Sequence, residues 1–252
     1  MIDFIASFDL SSDQWIWVIV CGLSIGMAKA GISGLGMFVV PVLASIFGAK
    51  DSTGVLLPML IMADIFAVLY YNRHADISLL VKLSPATIAG VLLGIWIGDI
   101  INEDQFKMLL AIIVILGVLI MILNELKKSS EAIPHNWLFA TTAGSLGGFT
   151  TMIGNAAGPV MSIYFLALRL KKNNFIGTAA WFFLLVNLFK VPFHITIWHT
   201  ITWSSFLLNL LIFPFILIGV FVGIKIVKII PEKPYRIFII ATVLLAVLKL
   251  FF

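Results

Sequence analysis

Two glycine-rich runs are the parts of this sequence best suited to bind an anion. They read Gly31-Ile32-Ser33-Gly34-Leu35-Gly36 and Gly154-Asn155-Ala156-Ala157-Gly158-Pro159. We expect a helix to begin near Ser33 in the first run and near Asn155 in the second. The first turn of a helix carries unpaired backbone N–H groups and a partial positive charge, and glycine lets a ligand come close. The predicted substrate-binding residues of the runs are Gly31, Ser33, Gly34, Gly36, Gly154, Asn155, Ala156 and Gly158. A second interpretation is that the glycines only let helices pack closely in lipid.

Polar and ionisable residues inside otherwise apolar segments form the second group of candidates. Lys29 directly precedes the first run, while Asn187, Lys190 and His194 follow one another at helical spacing on one face. Charges within a membrane segment are costly and normally face a partner, a cavity or a pathway. We therefore assign Lys29 and Lys190 to anion binding. Asp64, Asn187 and His194 are candidates for proton or ion coupling or for gating.

These intramembrane residues also have simpler interpretations. Asp64 could pair with a lysine instead of relaying protons. Lys190 and His194 could extend along the helix to the outer membrane interface, as long amphipathic side chains often do.

The composition shows what kind of molecule must position these residues. Of 252 residues, 62% are hydrophobic and only 11% are charged, which excludes a water-soluble globular chain. Long apolar runs without alternating polarity favour an all-α integral membrane protein. The net charge of +4 does not indicate nucleic acid, because the basic residues lie at segment ends and not in one stripe. One cysteine, Cys21, and the absence of metal-ligand motifs predict no metal and no cofactor.

The apolar sequence divides into ten segments, which would give eight to ten membrane segments. The segments are 15–30, 33–48, 53–71, 78–100, 104–124, 136–152, 156–169, 174–196, 203–227 and 234–252. The first and second are short, as are the sixth and seventh, and a glycine-rich run joins each pair. Such sequence is typical of a broken hairpin of short helices that bends inside the membrane.

The distribution of basic residues sets the predicted orientation. If both short pairs are hairpins, eleven basic residues at segment ends fall on one side and only Lys50, Lys107 and Lys249 on the other. The N-terminus is then outside. The predicted organisation is a first repeat over 1–124, a cytoplasmic linker over 125–135 and a second repeat over 136–252.

The two halves align at an offset of 123 residues. This offset places Gly31 on Gly154, Asp64 on Asn187 and Tyr71 on His194. Because each half has five segments, the halves would enter the membrane from opposite sides. This predicts an inverted-topology repeat, an arrangement of secondary transporters whose substrate site lies near the membrane midplane.

Two other functions are compatible with parts of the sequence. Gly31-Ile32-Ser33-Gly34 resembles the nucleophile motif of rhomboid intramembrane proteases, with Ser33 as nucleophile and His194 as a possible base. The repeat disfavours this reading, because the counterpart of Ser33 is Ala156. A non-transporting membrane assembly subunit is the other alternative.

The whole chain resembles the TauE/SafE family, the sulfite exporter or 4-toluene sulfonate uptake permeases. The likeness rests on the run from Lys29 through Gly36 to Pro41, on the run from Gly147 through Gly154 to Pro159, and on Gly177 ahead of Asn187. The resemblance implies a carrier of sulfur-containing anions, such as sulfite or organosulfonates, in the bacterial inner membrane. It implies the lipid bilayer and a small anion as partners, and a homodimer is a candidate assembly.

Overall fold

In a computed structural model of the chain, nine α-helices form the part that is described, which comprises residues 8–30, 32, 34–71, 75–126, 137–168, 170 and 172–227. The helices are α1 Ser12–Lys29, α2 Leu35–Phe47, α3 Ala49–Tyr71, α4 Ile77–Ile100, α5 Glu103–Leu126, α6 Trp137–Gly154, α7 Gly158–Ala167, α8 Lys172–Thr196 and α9 Trp203–Val227. No strand occurs among these residues, so the prediction of an all-α protein is confirmed.

The predicted segments correspond to these helices in order. The first nine coincide with α1 to α9 within a few residues, and the tenth, 234–252, lies outside the described residues. Within that part, four helices are long and apolar enough to cross a membrane, with spans at Ala49–Tyr70, Ile77–Ile100, Asn174–Thr196 and Trp203–Lys225. Several large apolar side chains, among them Trp96 and Phe221, face outward as lipid contact requires. The protein is therefore a multi-pass membrane protein.

Polar residues at the membrane edges start several of the helices. Ser11 and Gln14 form a capping box at α1, in which each side chain accepts a bond from the other's backbone N–H. Asn102 and Gln105 bond in the same reciprocal way at α5. At α4 the side chain of Asp76 accepts a bond from the N–H of Leu79. These side chains satisfy backbone donors that the helix itself leaves unpaired.

The helices α2 and α7 are too short to cross the bilayer. With 13 and 10 residues they extend about 20 and 15 Å, against a hydrocarbon layer about 30 Å thick. Their first residues, Leu35 and Gly158, follow the predicted starts near Ser33 and Asn155 by two or three positions. Gly34 has φ +98° and Asn155 has φ +52°, and residues in this left-handed region cannot belong to a right-handed helix.

Two close helix crossings bring the halves of the chain together. Helix α1 packs on α9, and α4 packs on α6. A Cβ atom on Gly26 would overlap the carbonyl oxygen of Ile216, and one on Gly148 would overlap the carbonyl oxygen of Thr87. Glycine is therefore needed at both crossings, as in other small-residue contacts between membrane helices. Between the crossings, α3 packs on α8, and these two helices carry most of the buried ionisable residues.

Candidate functional site

Lys29 and Asp64 form an ion pair inside the protein. Lys29 ends α1, and its Nζ lies 2.7 Å from Oδ1 of Asp64 in α3. Asn187 of α8 donates from Nδ2 to Oδ2 of Asp64 at 2.7 Å, so both carboxylate oxygens have partners. The Asp64 side chain is fully buried, whereas that of Lys29 is 16% exposed. The interpretation in which Asp64 pairs with a lysine is confirmed.

The Lys29 ammonium also lies against an aromatic ring. Its Nζ is 4.4 Å from the centre of the Phe183 ring, within the range of a cation–π contact. Phe183 was not predicted as a site residue. It precedes Asn187 by four positions, so the same helical spacing that marked Asn187 and Lys190 could have indicated it.

The ammonium group of Lys190, a residue of α8, lies against the C-terminal end of α6. Its Nζ is 2.9 Å from the carbonyl oxygen of Thr151, 3.0 Å from Oγ1 of the same residue and 2.6 Å from Oδ1 of Asn155. An ammonium group has three N–H donors, and each of them has an oxygen partner here. A direct contact of Lys190 with a substrate would therefore require one of these bonds to be exchanged. The extension of Lys190 or His194 to the membrane interface is excluded, because both side chains are completely buried.

Asn155 connects three helices at the bend between α6 and α7. Its Oδ1 accepts the bond from Lys190 of α8, and its Nδ2 donates to the carbonyl oxygen of Thr53 in α3 at 3.2 Å. The side chain therefore does not cap α7, which begins three residues later. The backbone of Thr53 was not predicted as a member of the site. No sequence pattern indicates a carbonyl group as a partner, because every residue type has one.

The charges around Lys29 and Lys190 do not cancel. Asp64 is the only carboxylate among the fully buried residues of the described chain, and it is paired with Lys29. Lys190 has neutral oxygen partners only. The buried cluster of Lys29, Asp64, Asn187 and Lys190 thus carries one surplus positive charge when both lysines are protonated. A surplus charge in a low-dielectric interior attracts a counter-ion of opposite sign.

Side chains from the first turns of the two short helices lie beside the same residue of α5. A Cβ atom on Gly117 would be 3.3 Å from Sδ of Met37 in α2 and 3.3 Å from Cγ of Pro159 in α7. Two first-turn glycines, Gly36 and Gly158, have no atom within 4 Å of an added Cβ. The other glycines described in this way all have close neighbours there. Open space therefore adjoins the N-terminal turns of both α2 and α7.

The remaining predicted site residues take different places. Gly34 precedes α2 directly, Ala156 is buried within the α6–α7 bend, and Gly154 contacts Leu110 of α5. Gly31 and Ser33 lie outside the described residues.

His194 is not part of the ion-pair cluster. Its Nδ1 lies 2.8 Å from Oγ1 of Thr200, and its ring makes an edge contact with Trp198. Trp198 in turn donates from Nε1 to the carbonyl oxygen of Ile95 in α4 at 3.3 Å. These contacts fix the chain between α8 and α9 against α4, which is a structural arrangement.

Comparison with known proteins gives one assignment. No curated protein and no solved structure matches the chain. The model of one family, described as sulfite exporter TauE/SafE, matches residues 18–250. The chain therefore belongs to the sulfite exporter TauE/SafE family, whose members are membrane transporters of sulfur-containing anions and not enzymes.

Proposed function

We propose that the protein is a secondary transporter that exports sulfite or a related organosulfonate across the bacterial cytoplasmic membrane. The observation that carries the proposal is that first-turn side chains of two short helices, Met37 and Pro159, both lie beside Gly117, with open space at Gly36 and Gly158. Helix N-termini bind oxyanions through backbone N–H groups and their partial positive charge. Family membership supplies the substrate class.

In the proposed site, the anion lies between the first turns of α2 and α7. Its oxygens accept bonds from backbone N–H groups near Gly36 and Gly158, with Gly34 directly before the first of these turns. Lys29 is the mobile cation of the site. Its 16% exposure and its single carboxylate partner allow its ammonium to turn from Asp64 towards an arriving anion. Lys190 contributes its charge from behind the bend, and its hydrogen bonds hold Asn155.

An inverted repeat explains how such a site would alternate between the two sides of the membrane. Two features support the repeat. The first helix of each half packs on the fourth helix of the other, as α1 on α9 and α6 on α4. Asp64 and Asn187, which bond to each other, are 123 residues apart, the offset that aligns the halves. Rocking of one half against the other would expose the site alternately.

The membrane potential gives the proposed direction of transport. Moving one elementary charge across 100 mV is worth about 2.3 kcal/mol. Because the cell interior is negative, an anion that moves without a coupled ion is driven outward. Uptake would need a coupling ion, and Asp64 is the buried carboxylate that could carry a proton in that case.

Flux measurements in proteoliposomes test the proposal. Radiolabelled sulfite, or a labelled sulfonate in a parallel arm, should leave vesicles that contain the protein faster than empty vesicles. The triple variant Lys29→Ala, Ser33→Ala, Asn155→Ala should lose this flux, while Lys82→Ala, which removes an exposed lysine of α4, should retain it. Unchanged sulfite efflux through the triple variant would rule out the proposed anion site.

A further inference from the structure

Lys190 occupies an arrangement of oxygens that resembles a binding site for a small cation. The carbonyl oxygen and Oγ1 of Thr151 and Oδ1 of Asn155 surround its Nζ at 2.6 to 3.0 Å, and we refer to these atoms as the α6 oxygen set. All three come from a stretch of five residues at the C-terminal end of α6, where the helix dipole is negative. Carbonyl groups at interrupted helix ends are also the groups that coordinate sodium ions in transporters with broken helices.

Lys190 has no charged counterpart in the first half of the chain. At the offset of 123 residues, the counterpart of Lys190 in the first half is Ala67, and both residues are buried in their central helices. A charged residue is thus not required by the packing of this segment in general. Lys190 is also unlike Lys29, because no carboxylate bonds its ammonium group.

We propose that Lys190 is a covalently attached substitute for a coupling cation. Its ammonium group fills the α6 oxygen set and stabilises the C-terminal end of α6. Through Asn155 it also holds the bend that leads into α7. The carrier then needs no sodium ion to order this bend, because the group that fills the oxygen set is covalently attached. Lys190 is a positioning residue in this proposal, and substrate contact is left to Lys29 and the helix N-termini.

Removal of the side chain should convert the α6 oxygen set into a site for a free cation. In Lys190→Ala, we expect methylammonium or ethylammonium to bind in the space that the lysine leaves. Bound ligand stabilises the folded state by mass action, so the melting temperature of the purified variant should rise saturably with the concentration of the amine. This readout needs no transport substrate, so it stands even if the proposed anion specificity is wrong.

Three controls separate this site from general effects of salt. Tetramethylammonium has the same charge but no N–H donor, so it should not stabilise Lys190→Ala. Wild-type protein and Lys82→Ala, which lacks an exposed lysine, should not respond to methylammonium. The double variant Lys190→Ala, Asn155→Ala, which lacks one oxygen of the set, should bind the amine at least about tenfold more weakly, as expected for one charge-assisted hydrogen bond.

Flux provides the second readout. We expect wild-type flux to be the same in sodium and in choline salts. Flux through Lys190→Ala should fall at least tenfold and should recover with methylammonium.

If Lys190→Ala does not fold, Lys190→Met retains the volume of the side chain. Its flux should fall without recovery, because no space is left for an amine. Sodium-stimulated wild-type flux, full activity of Lys190→Met, or a Lys190→Ala variant that is stable but insensitive to amines would each overturn the proposal.

Discussion

Asp64 has no exposed surface, and its two oxygens are held by side chains from two other helices. Lys29 at the end of α1 provides the charge, and Asn187 of α8 provides a neutral donor. If an anion binds at Lys29 as proposed, this carboxylate competes with it for the ammonium group. In the proposed transporter, Asp64 is thus an internal substitute for the substrate whenever the site is empty.

Replacement of Asp64 should separate the stabilising effect of the ion pair from this competition. We expect Asp64→Asn to lower the free energy of unfolding by about 2 kcal/mol, because a charged hydrogen bond is lost. We also expect a lower KM for the exported anion, because Lys29 no longer has an internal partner. Thermal unfolding in detergent and concentration-dependent flux measure the two effects.

The control for this prediction is Asp99→Asn. Asp99 is 52% exposed and lies 4.0 Å from Lys50, a geometry in which ion pairs contribute little. Its replacement should change neither quantity. A higher KM in Asp64→Asn would mean that Asp64 assists anion binding and does not compete with it.

At the scale of elements, the glycines of this protein have two separate tasks. Gly26 and Gly148 let helix backbones touch, whereas Gly36 and Gly158 adjoin open space at the starts of short helices. The sequence alone left both interpretations of the glycine-rich runs open. The absence of packing neighbours at Gly36 and Gly158 depends on residues that are distant in the chain, so residue type alone does not indicate it.

A pair of matched substitutions tests this division. Gly148→Ala places a methyl group on the carbonyl oxygen of Thr87, so we expect it to separate α4 from α6 and to yield little folded protein. Gly158→Ala meets no atom within 4 Å and should fold normally. Its methyl group would occupy the proposed anion space, so sulfite flux should fall several-fold. Size-exclusion profiles and flux measure the outcomes, and normal flux through Gly158→Ala would exclude this end of α7 from the site.

Much of the helical architecture could be predicted from the sequence. Segments of continuous apolar residues gave nine helices with nearly correct ends, because hydropathy and glycine or proline punctuation act locally. The helices α2 and α7 start two or three residues later than predicted, because Gly34 and Asn155 have left-handed backbone conformations. The intramembrane residues Lys29, Asp64, Asn187 and Lys190 were identified, because charge in an apolar segment is rare. Their partners could not be predicted, as contacts with Thr151 and Thr53 depend on how α6, α8 and α3 pack.

At the scale of the whole molecule, the direction of transport should follow the membrane potential. For a monovalent anion without a coupled ion, 100 mV should maintain a concentration ratio of about 50 at equilibrium. Vesicles with a potassium diffusion potential set by valinomycin measure this ratio for labelled sulfite. If sulfite accumulation depended on a proton gradient and not on the membrane potential, Asp64 would instead be assigned to coupled transport.

The proposed inverted repeat makes a second prediction for the whole molecule. Ser78 and Ser204 are exposed residues in the first turns of α4 and α9, the fourth helices of the two halves. In a Cys21→Ala background, cysteines at these two positions should react with an impermeant thiol reagent from opposite sides of the membrane. Replacement of Cys21 removes the one native thiol, which is buried. Labelling of both positions from one side would rule out the inverted topology.

The contact between Asp64 and Asn187 has a consequence for the ancestry of the chain. If the halves arose by duplication, their ancestor was a chain of five segments that paired with a second copy of itself. In such a pair, the same residue would stand on both sides of the symmetry axis at this contact. Two aspartates would repel each other there, and two asparagines could not hold Lys29 by charge. Only after the two copies diverged in sequence could one keep a carboxylate while the other supplied its amide partner.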